Sequence, residues 1–151
     1  MNDPVMSLKS LLEDNWDDDN TSAITPDIST GWYDLAAKRP VVSLTHPVET
    51  PISNGPVKFF GLAVNGAPHQ YIMCTLALNV WVTRATAAMN PKQARFEFVQ
   101  EIQRILLAHY EDITDIDFIA WGGGFGQVDA KTKPPTFRFI AEVQYGYLKC
   151  S

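Results

Sequence analysis

The stretch Gln70–Tyr110, QYIMCTLALNVWVTRATAAMNPKQARFEFVQEIQRILLAHY, decides the fold. From Ile72 to Val82 every second residue is apolar (Ile72, Cys74, Leu76, Leu78, Val80, Val82), and the alternate set is mixed. That period of two predicts a strand with one buried face. The pattern stops after Arg84. Asn90-Pro91 then offers a side-chain N-cap followed by a ring pre-set for a first helical turn. Phe98, Val99, Ile102, Ile105, Leu106 and His109 recur at three- and four-residue spacing, the stripe of an amphipathic helix. Strand and helix are expected to pack on each other.

Working outward, Pro4 opens a first helix with an apolar stripe of Val5, Leu8, Leu11 and Leu12, predicted to end near Trp16. Asp17-Asp-Asp-Asn-Thr21 follows as a turn, because these side chains bond their own backbone, and Thr25-Pro26 continues irregular or extended. Gly31–Lys38 reads as an aromatic-anchored turn or short helix. Arg39–Thr45 reads as a strand closed by His46-Pro47. Pro47, Pro51 and Pro56, with Asn54-Gly55 between them, exclude a central strand and predict an arm over 47–68. Val57–Val64 within it suits an edge strand, and Asn65-Gly66 a turn.

Beyond the helix, Ile113–Trp121 reads as a strand. Thr136–Leu148 reads as another, with Phe137, Phe139, Ala141, Val143, Tyr145 and Tyr147 on one face. A glycine-rich loop is predicted between them over 122–135, longer than an ordinary hairpin connection. The sum is a mostly antiparallel sheet with helices packed on one face, a single-domain α+β sandwich over residues 1–151. Its N-terminal helix and acidic turn occupy 1–22.

Composition narrows the function classes. The chain of 151 residues has the length of one domain and carries a net charge of −5. Residues 1–19 hold six acids against one base, Lys9, so the remaining body is balanced at eleven against eleven. Without a Lys/Arg cluster, no nucleic-acid binding is expected. No apolar run reaches the length of a membrane span, and the N-terminus lacks the pattern of a secretory signal. Cys74 and Cys150 read as reduced small hydrophobes.

Chemical motifs are sparse. The acidic run Asp14–Asp19 lacks the glycine and distal glutamate of a calcium loop, so it reads as a solvated turn and no metal is expected. His46, His69 and His109 are too scattered for a zinc pattern, and His109 suits the C-terminal end of the helix dipole. Gly122–Gly126 is followed by neither Gly-Lys-Ser/Thr nor a helix, which argues against a phosphate loop. A bulged strand end, a mobile loop or a partner's close approach remain as readings. No nucleophile elbow is present, and no catalytic residues or cofactor are expected. Arg95 projects near the centre of the helix's apolar face, where it either snorkels off the edge of the core or pairs across a contact.

The ordered elements, with Leu11-Leu12-Glu-Asp-Asn-Trp16, the Asn20-Thr21 turn, Ile24-Thr-Pro26, the strand ending Leu78-Asn-Val-Trp81, one central helix and a final strand pair, resemble the viral tail-terminator, or tail-completion, proteins. The likeness is strongest to versions in archaeal viruses and proviruses. It implies a structural, non-enzymatic virion protein that forms a homo-oligomeric ring, commonly a hexamer. The ring would cap the tail tube at the tail–neck junction and join it to the neck or connector protein. A head-to-tail ring needs two different surfaces. The arm with Phe59 and Phe60, and the glycine-rich loop with Trp121 and Phe125, are the expected candidates, with Arg95 beside them. The other class of function open to the sequence is a small-ligand binding module or enzyme, with a pocket between sheet and helices and Gly122–Gly126 as its lid.

Overall fold

A computed structural model describes residues 3–31, 39–51, 63–64, 67–83, 86, 90–131 and 135–150. All but Gly31 of the expected turn or helix at 31–38, the Asn65-Gly66 turn and most of the arm, with Phe59 and Phe60, lie outside the described residues. So do the side chains of His46, His69 and Cys150. Helix α1 (Pro4–Asn15) starts from an Asp3 cap whose carboxylate accepts the Val5 N–H at 3.0 Å. A 3₁₀ turn at Asp18–Thr21 follows, then strand β1 (Asp27–Ser29), β2 (Val41–Pro51), β3 (Ala63–Val64) and β4 (Ala67–Val82). Helix α2 (Pro91–His109) begins as predicted, with Asn90 Oδ1 accepting the Lys92 N–H at 3.0 Å. Strands β5 (Phe118–Asp129) and β6 (Thr136–Cys150) complete the chain.

The strands form one sheet in the order β1-β2-β4-β6-β5, with β3 folded back on the start of β4. Every pairing is antiparallel except that of β1 with β2. This is the expected α+β architecture, with both helices on one face. The helix-facing rungs of β4 and β6 are Val80 opposite Phe139, Leu78 opposite Ala141, Leu76 opposite Val143 and Cys74 opposite Tyr145. They bury against Leu8 and Leu12 of α1 and Phe98, Ile102 and Ile105 of α2. Cys74 is a free, buried thiol, and burial pushes its pKa up.

Three boundaries differ from the sequence reading. Strand β2 does not stop at His46-Pro47 but runs on to Pro51, absorbing the proline in a bulge between Thr45 and Val48. Proline is compatible there because that stretch of β2 lies beyond its pairing with β1. Ile113 and Ile116 are buried, yet they precede β5 instead of belonging to it. Their three-residue spacing turns both side chains inward from a turn, where strand alternation would have opposed them. Most of the predicted glycine-rich loop is strand: Gly122–Asp129 makes up the last two thirds of β5, and the connection to β6 is correspondingly short.

Candidate assembly surface

The glycines of β5 have a local cause. Trp121 pairs with Val143 and Gly124 with Ala141, so three steps on β5 span two on β6. One extra residue is thereby inserted, and Gly123 takes it up at φ +87°. Gly124 lies so close to β6 that a Cβ there would sit 2.5 Å from the Ile140 carbonyl oxygen. The β2 bulge lies opposite Ala77 and Thr75, at the same level of the sheet, because Ala77 pairs with Glu142. The two bulges therefore flank the central β4–β6 pair.

The inserted residue separates Trp121 from Phe125. Four residues apart in an unbroken strand, they would share a face; the bulge sends them to opposite sides. Trp121 goes toward the helices and stacks on Phe139 with centroids 6.4 Å apart, packed against the core. Phe125 goes to the helix-free face and stays 60% exposed. It stands at the rim of an open trough of about 530 Å³ that crosses this face between the bulges. Val48 and Ile140 share the lining, with Thr75 and Ala77, and Glu142 is its charged residue.

Arg95 works inside the subunit. Its Nη1 donates to the Gln127 carbonyl of β5 at 3.3 Å and to the Arg138 carbonyl of β6 at 3.2 Å. The guanidinium lies where a side chain at 126 would go, since a Cβ on Gly126 would meet Arg95 Cζ at 2.9 Å. The residue that projected onto the apolar stripe thus snorkels to its edge and ties the last turns of β5 to α2. Of the aromatic and basic residues expected at an interface, Phe125 is the one among the described residues whose side chain is largely exposed.

A second construction escaped sequence reasoning. Glu101, in the middle of α2, is 2% exposed. Its carboxylate accepts the Asp17 N–H at 3.0 Å, Asn20 Nδ2 at 2.9 Å and Arg104 Nε at 3.0 Å, and it pairs with Arg104 Nη2. Arg104 Nη2 also donates to the Asn15 carbonyl at 2.9 Å, closing the C-terminal end of α1. Burial acts to raise the Glu101 pKa, but Arg104, the Asp17 N–H and Asn20 together outweigh it and hold the pKa below 4.5. Trp16 meets Phe98 edge to face at 5.5 Å and donates to Thr21 Oγ1 at 3.3 Å. The Leu11–Trp16 segment is therefore locked to α2 from both sides. A glutamate on the buried side of a helix, followed three residues later by arginine, was the available signal.

Other polar groups among the described residues bond within the subunit or lie exposed. Asp17, Asp18 and Asp19 bring carboxylate oxygens within 4.8 Å of one another, all exposed, and Asp17 caps its own 3₁₀ turn. On the helix-free face, Arg138 lies 4.2 Å over the Trp81 ring and donates to Asn79 Oδ1 at 2.7 Å, while Trp81 Nε1 donates to Ser43 Oγ at 3.2 Å. His109 Nδ1 lies 2.8 Å from Asp112 Oδ2. Among the described residues no helix is long and apolar enough to cross a membrane. Core side chains pack between the sheet and the helices, and Gly124–Gly126 pair with β6. No protein-family profile matches this chain, and no curated protein sequence matches it.

Proposed function

We propose that this chain is a structural virion subunit, a tail terminator or tail-completion protein, that assembles as a homo-oligomeric ring, a hexamer by its resemblance. In this reading the ring caps the tail tube and joins it to the neck. The observation that supports it is the strip formed by β5 and the trough beside Phe125. On a chain of net charge −5, the eleven residues Phe118–Val128 carry no charge, and Phe125 and Val48 are 60% and 61% exposed. An uncharged sheet margin with exposed aromatic surface is the kind of surface that protein contacts cover. The Leu11–Trp16 segment, which carries the most specific part of the resemblance, contributes by locking α1 onto α2 and so fixing one rigid subunit.

Native mass spectrometry and negative-stain imaging of the full chain test this. Closed rings whose mass is a multiple of 16.9 kDa, and their binding to the ends of purified tail tubes, are the expected results. A chain that stays monomeric at high concentration and ignores tube ends would remove the reading.

A further inference from the structure

The two margins of the sheet are built differently. On the β2 side, β1 covers only Val41–Ser43, and the strand beyond carries a bulge, Pro47, Glu49 and Pro51. Prolines, charge and bulges are devices that stop a foreign strand from adding to an edge. On the other side β5 is, among the described residues, an outer strand along its whole length, and Gly122–Asp129 are all exposed. From Phe118 to Val128 it has no proline and no charge. Its one irregularity, the bulge at Gly123, leaves the pairing with β6 continuous from Gly124 to Asp129.

We infer that the outer edge of β5 is the surface on which a second copy of this chain adds an extended strand, with Phe125 and the adjoining trough receiving side chains from that copy. The inference rests on the ring reading and specifies its contact. Charge narrows which surface of a copy can make the contact. Copies with net charge −5 repel, and the acidic groove between α1 and the end of α2, lined by Asp3, Asp14, Asp112 and Asp115, cannot face its like. The neutral strip can.

Size gives a second argument. Twelve residues at a rise of about 3.4 Å make an edge about 40 Å long, and a sheet layer is about 10 Å thick, so the edge alone offers roughly 400 Å². A stable interface needs about 800 Å² on each partner. Backbone pairing is thus about half of what is required, and Phe125 with the trough is the adjacent apolar surface that extends it. In a head-to-tail ring the donated strand comes from a different part of the neighbour, so each copy gives one contact and receives one.

The test places a lysine on the edge, as Ala120→Lys or Phe125→Lys, with Leu107→Lys on the exposed face of α2 as a charge-matched control; Leu107 is 78% exposed. Native mass spectrometry and thermal melts are run on all four proteins. The expectation is rings for wild type and L107K, at least tenfold weaker association for A120K and F125K, and unchanged melting of the monomer. Edge variants that assemble like wild type would overturn the inference and leave the ring reading standing, as would loss of assembly in L107K as well. A wild-type dimer lost in A120K and F125K would support the edge contact and overturn the ring. A wild type monomeric at every concentration overturns the edge contact, and if it also ignores tube ends it overturns the ring reading as well.

Discussion

Replacing Glu101 by glutamine keeps the volume of the side chain but removes the charge on which donors from three residues converge. The Asp17 N–H, the Asn20 amide and two donors of Arg104 all point at its carboxylate. A glutamine amide nitrogen would turn at least one donor against these donors. Breaking a buried ion pair from one side costs about 3–5 kcal/mol. The Arg104 side chain is 40% exposed and returns partly to water, so its share is discounted, and about 3 kcal/mol is expected for E101Q. For a chain of this length each kcal/mol moves the midpoint by about 2–4 °C, giving a loss of about 6–12 °C in a circular-dichroism melt.

Arg104→Gln supplies the complementary experiment, because the pH dependence should weaken. In the wild type, Glu101 has a folded pKa below its ordinary value of 4.5. Its contribution is therefore fully present above pH 4.5 and is lost as pH falls through the lowered folded pKa. Without Arg104, only the Asp17 N–H and Asn20 remain to oppose burial, so the folded pKa moves up from its wild-type position. The variant then loses less stability than the wild type as pH falls through the carboxylate range. Urea titrations from pH 3 to pH 7 read both slopes. If E101Q and R104Q summed to the double variant within about 0.5 kcal/mol, or if R104Q kept the wild-type slope, the clamp would not exist as described.

Other expectations follow from β5 and from the acidic turn. Gly126→Ala must displace the Arg95 guanidinium and should cost about 1 kcal/mol in urea denaturation, but almost nothing in an Arg95→Ala background; equal costs in both would refute the contact. Gly124→Ala meets a backbone carbonyl that cannot swing aside, so a loss of about 2–3 kcal/mol is expected, and a neutral result would mean that β5 and β6 do not pair at that rung. Ala23 sits at φ +62°, outside the range that suits a side chain. Ala23→Gly should therefore raise the melting midpoint by about 1–3 °C, and a fall would show that the turn is not strained.

Several elements were legible because their signals are local. The alternation from Ile72 to Val82, the Asn90-Pro91 start and the stripe Phe98–Leu106 each describe a residue's relation to neighbours within four positions, and β4 and α2 stand where they predict. The class of the fold, a mostly antiparallel sheet with helices on one face, follows from their order. Pro47 misled because a proline's tolerance depends on whether its strand has an outer neighbour, which is a property of the sheet. Gly122–Gly126 misled in the same way: glycines that look like a loop were required by the approach of the Ile140 carbonyl and of Arg95.

The candidate surface divides along the same line. The sequence by itself marked Phe125 and the glycine-rich run Gly122–Gly126. Only the tertiary structure decided that one inserted residue turns Trp121 into the core and Phe125 outward, and that Arg95 holds β5 in place. It also decided that Glu101, eighty-four positions from Asp17, closes the N-terminal segment onto α2. Face and edge are relations between strands, and the partner of a buried charge is set by packing, so neither exists until the chain has folded.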